Sequence, residues 1–531
     1  MYINIVYLLL IFAISSVCGR VTEPRESIIS NTIYDGDDDK TESDPLVPRY
    51  SVNVTETTTD FTTTTTGTPE SVVPCDNSSD GSQEITDNTI DSADNEPCKL
   101  KVNANNEALI LTRYIEDNRF EEARNASRVD PTLFHGLTSY SGFLTVNKTY
   151  NSNLFFWYFP VENKPVNETP WIVWLQGGPG ASSMTGMFDE IGPVHVDPKN
   201  MIRRNHYTWL SNHSLVFLDN PVGTGFSFTN HEDGYAKDLP TYGRHMHIAL
   251  MQLVKMFPEL KTAPLYLGGE SYAGKYIPAL GIEIHRHKNQ SGNDINFQGM
   301  MVGNGYIDPV MVSQLSLPYY NLGLISKQQF DRVAPILTSF NNHVAANRSI
   351  EAKETWMTLV SILLSLSNQN QGYNFLKDDV PVGGFTKYLT KPEVKRALHV
   401  GDIRFSFINR TVNTMLAPEF LTSAKPLFEE LLHHYRVLLY CGQLDLMLSC
   451  RHLSDNYRTW KWNASQEFLN ATRYPYVFEN KLSGYLQSGG QLTEVVIRGA
   501  GHLAPLDKPA PVRNLVTRWT HKQPIEKSFR L

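Results

Sequence analysis

Leu265-Tyr-Leu-Gly-Gly-Glu-Ser-Tyr-Ala-Gly274 runs from a short apolar segment into two glycines and then at once to a serine. A strand that stops at small residues, with a helical pattern behind it, mounts a nucleophile on a sharp turn. Small neighbours are needed there because the backbone bends where a Cβ would clash. Ser271 is therefore the candidate nucleophile. The fifth position of the G-x-S-x-G pattern is Ala273 rather than glycine, so the pattern is incomplete, and a plain turn before a helix competes with it.

A serine hydroxyl needs a base within hydrogen-bond reach, and that base needs a carboxylate to orient it. Two later runs supply both. Val437-Leu-Leu-Tyr-Cys-Gly-Gln-Leu-Asp445 places an aspartate just past an apolar strand, and Val495-Val-Ile-Arg-Gly-Ala-Gly-His502 places a histidine past the next. Singly, each reads as an ordinary loop residue. In the order Ser271, Asp445, His502, each behind a strand, they match the α/β-hydrolase arrangement. Upstream, Trp171-Ile-Val-Trp-Leu-Gln-Gly-Gly-Pro-Gly-Ala-Ser-Ser183 takes another strand into glycines. Backbone N–H groups of Gly177 or Gly178, together with that of Tyr272, suit an oxyanion hole; the bland reading is a tight turn. Ser182 and Ser183 are weaker nucleophile candidates, since no strand leads directly to them.

The wider pattern agrees. Short, nearly continuous apolar runs occur at Trp171–Leu175, Ser214–Leu218, Pro264–Gly268, Gly299–Gly303, Val437–Tyr440 and Val495–Ile497. Such runs suit strands buried on both faces of a mostly parallel sheet. Helical patterns lie between several of them, at Arg244–Phe257 and Gly274–His287. The expected fold class is α/β, a central sheet flanked by helices. Residues 306–430 interrupt the alternation with Leu359, Leu363, Leu364 and Leu366 in helical surroundings and a second helix at Lys391–His399. They read as a helical insertion, or cap, between core segments 105–305 and 431–531.

The chain has 531 residues, a formal charge of −8 and a hydrophobic fraction of 41%, which suits a packed globular core. The charge is uneven: residues 20–99 hold 18 acidic and 5 basic residues, leaving the rest of the chain at +5. No dense basic block points to nucleic acid. Residues 1–19 form an apolar run ending in small residues and read as a secretory signal cut after Gly19, with an uncleaved anchor as the alternative because no Lys or Arg precedes the run. No later stretch is long enough to span a bilayer. Residues 20–104 form an acidic leader with a Thr-rich tract, expected to be disordered and mucin-like. Without Cys18, the cysteines are Cys75, Cys98, Cys441 and Cys450. Local pairing, Cys75 with Cys98 and Cys441 with Cys450, orders the least loop, with free thiols the alternative for the second pair. Eleven Asn-x-Ser/Thr patterns run from Asn53 to Asn470, which in a secreted chain implies surface glycans. His285 with His287, and the adjacent His433 and His434, do not form a metal-ligand spacing, and no P-loop or dinucleotide fingerprint occurs; no metal or cofactor is expected.

Taken together, Trp-Leu-Gln-Gly-Gly-Pro-Gly, Asp219-Asn-Pro-Val-Gly-Thr-Gly-Phe-Ser227, Gly-Glu-Ser-Tyr-Ala-Gly, Gly303-Asn-Gly305 and Gly-Ala-Gly-His resemble the serine carboxypeptidase family over about residues 105–520. Within it, the vitellogenic-like carboxypeptidases also carry Gln in the first motif. The resemblance implies Ser271 as nucleophile, His502 as general base and acid, Asp445 as its orienter, and Gly178 and Tyr272 as the oxyanion hole. It implies recognition of a peptide's C-terminal carboxylate by Gln176, Gly177, Glu190 and Glu270, with Trp174 behind them. Ala273 is what the family expects. Gln176 stands where most members have Asn, and Ala181 where most have a half-cystine. The activity implied is release of C-terminal residues from peptides or proteins through an acyl-enzyme, favoured by acid if Glu190 and Glu270 share protons. An acyltransferase or esterase on the same scaffold, or a silent secreted binding or storage protein, are the rivals. The setting implied is the secretory pathway, secreted or lysosomal, and oligomeric state is left open.

Overall fold

The computed structural model describes residues 107–288, 290 and 295–525. The signal, the leader, Cys75, Cys98, Asn53, Asn77 and Asn289 lie outside the described residues. Twelve strands are present among those described: β1 (Tyr140–Asn147), β2 (Ser152–Phe159), β3 (Trp171–Leu175), β4 (Val194–Val196), β5 (Ile202–Arg204), β6 (Ser214–Leu218), β7 (Leu265–Glu270), β8 (Phe297–Gly303), β9 (Arg436–Gly442), β10 (Tyr474–Phe478), β11 (Lys481–Gly489) and β12 (Leu492–Ile497). Ten form one sheet in the order β1-β2-β6-β3-β7-β8-β9-β12-β11-β10, while β4 and β5 make a separate hairpin. The six central strands, β6 through β12 in that order, are mutually parallel. An antiparallel pair borders them on each side.

Period-two alternation sends each central strand into two cores. Trp171, Val173 and Leu175 of β3 enter one cluster with Leu265 and Leu267 of β7, Met300 and Val302 of β8, and Val437 and Leu439 of β9. Ile172, Trp174, Tyr266, Met301, Leu438 and Tyr440 enter the other. The helices of eight residues or more are α1 (Leu239–Met256), α2 (Ala273–His287), α3 (Lys327–Ala345), α4 (Ser349–Leu366), α5 (Cys450–Tyr457) and α6 (Pro509–Thr520). On the first face lie α1 and α2, through Tyr242, Met246, Tyr276, Ile277 and Leu280. On the second lies α6, through Val512, Leu515, Val516 and Trp519. α1 begins earlier than its apolar period suggests, because the Asp238 side chain caps it by accepting from the Thr241 N–H at 2.8 Å, with Pro240 in the first turn.

Residues 306–430 carry helices and loops that pack into three different cores. Leu315, Tyr319, Ile325 and Val333 join Leu359, Val360, Leu363 and Leu364 of α4 in a third cluster, which also takes in Leu446 and Met447 just beyond Asp445. By contrast, Phe385, Tyr388, Leu389, Val394 and Leu398 pack on the second sheet face, and Val412, Leu416, Phe420 and Phe428 on the first. The helix expected at Lys391–His399 is shorter, Pro392–Ala397. His399 has φ +58° and ends the helical path.

Cys441 and Cys450 form a disulfide. The free-thiol alternative is thereby set aside for this pair. Three of the four histidines noted above sit in ring stacks, His285 on His434 with centroids 4.5 Å apart and His287 on His247 at 4.8 Å, while His433 is tilted to His434 at 6.4 Å.

Candidate active site

The ends of five neighbouring strands build the site. In sheet order these are β3, β7, β8, β9 and β12, and at the carboxyl end of each lies one functional segment, the place where α/β sheets hold ligands. β7 ends at Glu270 and α2 begins at Ala273. Ser271, between them, has φ +59°. A non-glycine residue in that region is strained and must be held by its surroundings. Its N–H donates to Gly303 O at 3.0 Å, and its carbonyl accepts from Tyr306 N at 2.8 Å.

The β3 segment comes up against this turn. A Cβ on Gly177 would lie 2.5 Å from Tyr272 N and 2.7 Å from Ser271 Cβ, so only glycine allows the approach. Gly178 has φ +110°, which an L side chain rarely adopts. Ser182 and Ser183 are occupied elsewhere: their hydroxyls donate to Asp219 Oδ1 at 2.6 Å and to Leu218 O at 2.7 Å. Asp219 also accepts from the N–H groups of Ser183 and Phe226.

Asp445 and His502 are buried side by side, with His502 Nδ1 2.7 Å from Asp445 Oδ2. Neither is an exposed loop side chain. Asn304, which follows β8 with φ +40°, completes the contact. Its Nδ2 donates to the same Asp445 oxygen at 2.7 Å, and its Oδ1 accepts from Gly442 N at 2.9 Å. The other Asp445 oxygen accepts from Met447 N at 2.7 Å and Leu448 N at 3.2 Å. Every lone-pair direction of this carboxylate is engaged, which fixes its orientation. Tyr373 lies against the imidazole with ring centroids 4.6 Å apart, and its carbonyl accepts from His502 N at 2.6 Å. Asp507 holds the preceding turn by accepting from Gly501 N at 2.7 Å.

Across the β3 segment lies a buried amide–carboxyl cluster. Trp174 Nε1 donates to Gln176 Oε1 at 3.0 Å. Indole N–H can only donate, so it fixes the Gln176 amide with its NH2 turned the other way. That NH2 donates to Glu270 Oε1 at 2.6 Å and reaches Glu190 Oε1 at 3.5 Å. Glu190 closes a π-helical turn, Gly186–Glu190. It is not a solvated loop charge: it is 3% exposed, and Glu270 is 0% exposed. The second oxygen of each carboxyl receives no hydrogen bond from an amide, hydroxyl or backbone N–H among the described residues, and the two carboxyls hydrogen-bond to each other. Burial raises the pKa of Glu190 well above the carboxylate range, and the nearby Glu270 charge adds to it. Burial also raises that of Glu270, while hydrogen bonds from Glu190 and Gln176 partly offset the effect. Next to them, burial pushes Asp189 up to about 8.

Local sequence pattern marks Asn304, Tyr373 and Asp507 only weakly or not at all as site residues. Asn304 had a faint signal, as the polar residue of Gly-Asn-Gly behind an apolar strand. The other two are long-range packing partners and left none.

A family model described as serine carboxypeptidase matches residues 131–522. A vitellogenic carboxypeptidase of Aedes aegypti is 38% identical over 428 residues, covering 78% of this chain and 90% of that protein. A venom serine carboxypeptidase of Apis mellifera is 37% identical over 427 residues, covering 78% and 91%. Among solved structures, a prohormone-processing carboxypeptidase from Saccharomyces cerevisiae aligns with a TM-score of 0.67 at 25% identity, covering 75% of this chain and 95% of that one.

Proposed function

The chain belongs to the serine carboxypeptidase family, and on that premise we propose how its residues divide the work of releasing a peptide's C-terminal residue. Ser271 Oγ attacks the last peptide carbonyl while His502 Nε2 takes its proton. Asp445 holds the imidazole in the tautomer this needs. The N–H groups of Gly178 and Tyr272 receive the oxyanion. His502 then returns the proton to the departing amine as the C–N bond breaks. Water, deprotonated by the same imidazole, cleaves the acyl-enzyme. The helical pair α3 and α4 serves as the cap beside the Asp445 loop.

The observation that carries the exopeptidase reading is the buried Gln176–Glu270–Glu190 cluster, in which one oxygen of each carboxyl is reached by no amide, hydroxyl or backbone N–H. Protonated, these carboxyls and the Gln176 amide donate to a terminal carboxylate, with the Gly177 N–H beside them. Both pKa values are raised. In acid the pair therefore keeps its protons and binds; as pH rises through the raised values it ionises and repels the substrate's charge. The test is a pH series comparing a free-acid peptide with its C-terminal amide. KM for the free acid rises with pH and that for the amide stays flat; equal responses overturn the shared-proton idea. Ser271→Ala abolishes turnover and labelling by a fluorophosphonate, and persistent labelling removes the nucleophile assignment.

We place the protein in the secretory pathway, secreted or lysosomal. The apolar N-terminal segment supports this, as do acceptor sequences at exposed Asn167, Asn347, Asn463 and Asn470. Among the described residues, no helix is long and apolar enough to cross a membrane. The Asn409 side chain is engaged as a helix cap: it accepts from Val412 N and donates to Gly223 O.

A further inference from the structure

A second buried charge cluster sits behind the nucleophile turn, on the sheet face opposite Glu270. Lys275, on the first turn of α2, is wholly buried, as is the Glu419 side chain it faces at 3.5 Å. The ammonium donates to Glu419 O at 2.8 Å and Phe420 O at 3.0 Å. It also stands 5.1 Å from the centre of the Tyr272 ring and 5.0 Å from that of Tyr306. Glu419 in turn accepts from Tyr272 Oη at 2.6 Å and Tyr242 Oη at 3.0 Å. Tyr306 stacks on Tyr272 with centroids 5.9 Å apart.

Burying an ion pair costs several kcal/mol of desolvation, and apolar side chains of similar size would often serve stability as well. What the pair does locally is grip one residue. Tyr272 is held at its hydroxyl by Glu419 and across its ring by Lys275. Its own N–H lies one peptide bond beyond Ser271, whose φ of +59° persists only if its surroundings over-determine it. Glu419 comes from the 306–430 span, so the grip also ties that span to the turn.

We infer that the Lys275–Glu419 pair positions the nucleophile turn: by fixing the Tyr272 side chain it holds Ser271 in its left-handed conformation and aims the Tyr272 N–H at the oxyanion. This rests on the reading of Ser271 as nucleophile and Tyr272 as oxyanion donor. Lys275 and Glu419 are positioning residues and touch no substrate. The pair contributes in the transition state of acylation, when charge appears on the oxygen, and little in ground-state binding.

Lys275→Met strands a buried carboxylate and risks the fold, so the gentler variants are Tyr272→Phe, which removes one hydroxyl, and Glu419→Gln. Two quantities are compared with the wild type: the second-order rate of fluorophosphonate labelling at Ser271, and the Kd of a reduced-amide dipeptide with a free carboxylate. Expected is labelling slowed about tenfold, short of the 10²–10³ lost with a whole oxyanion donor, and a Kd unchanged within about twofold. Labelling within about twofold of wild type in both variants overturns the inference, as does an equal loss in labelling and binding, the mark of a merely structural role. A wild type that labels at Ser271 but releases no C-terminal residue refutes the carboxypeptidase reading and leaves this comparison intact. Failure to label at Ser271 refutes both.

Discussion

Gln176 is one methylene longer than asparagine, and the fold uses the length. Its oxygen is pinned by Trp174 while its nitrogen reaches Glu270 at 2.6 Å. Asparagine cannot keep both contacts from the same backbone. Gln176→Asn therefore raises KM for a free-acid peptide about tenfold, the worth of one hydrogen bond to a charged group. kcat changes little, because the terminal carboxylate is bound equally in ground and transition states. Steady-state kinetics on the free acid and its amide check this; an equal rise for the amide rules out a role in carboxylate recognition. At this scale the residues with reactive chemistry were legible, since Ser271, Asp445 and His502 each follow an apolar run. Glu190 was not legible from local pattern. Nothing around Gly186–Glu190 signals a π turn that buries a carboxyl, and only the family resemblance picked it out. Asn304 was missed because an asparagine shows no chemistry until its partner, Asp445, is in place.

The same contrast holds for the elements. All six central strands were readable, because a strand covered on both faces carries a nearly continuous apolar run, as in Trp171–Leu175, although in β12 the run covers only Val495–Ile497. The flanking strands were not. In β10 and β11, buried and half-exposed positions mix, and a bulge at Tyr476/Val477 breaks the register. β2 is buried throughout but leads into no helix of its own, so it does not read as a strand–helix unit. The division of 306–430 between three cores was also invisible, since helical periodicity says which side is apolar and not what it meets. The Cys441–Cys450 bridge ties the end of β9 to the start of α5, and Asp445 lies on the segment it closes. In the chain-entropy account a loop of this size contributes about 3 kcal/mol. The paired variant Cys441→Ser/Cys450→Ser should lower Tm and also lower kcat several-fold at temperatures where it stays folded, through a less constrained Asp445. Thermal melts with active-site titration separate the two losses; unchanged kcat per folded molecule limits the bridge to stability.

For the whole molecule, two sets of buried groups set opposite limits on pH. Burial raises Asp189 to about 8 and Asp219 to about 6, and raises Glu190 and Glu270 as well. Unfolded carboxyls titrate near 4, so over this window the folded state binds more protons. Stability present below about pH 4 is therefore lost as pH rises toward the folded values. The histidines act the other way. Burial lowers His213 to about 3 and His245, His247 and His399 to about 4. Unfolded histidine titrates near 6.5, so stability present above that value is lost as pH falls through about 6 to 4. The two slopes oppose each other between about pH 4 and 6.5 and act unopposed outside it, so Tm is greatest in weak acid, about pH 5 to 6. The double variant Glu190→Gln/Glu270→Gln carries the neutral isosteres of the protonated pair. It should melt with the wild type at pH 5 and above it at pH 7.5, while losing affinity for free-acid peptides at neither pH through charge repulsion. A wild-type Tm that climbs steadily from pH 5 to pH 8, or a double variant that melts lower at pH 7.5, means that the two glutamates are ionised in the folded protein, and the acid-favoured binding of C-termini falls with them.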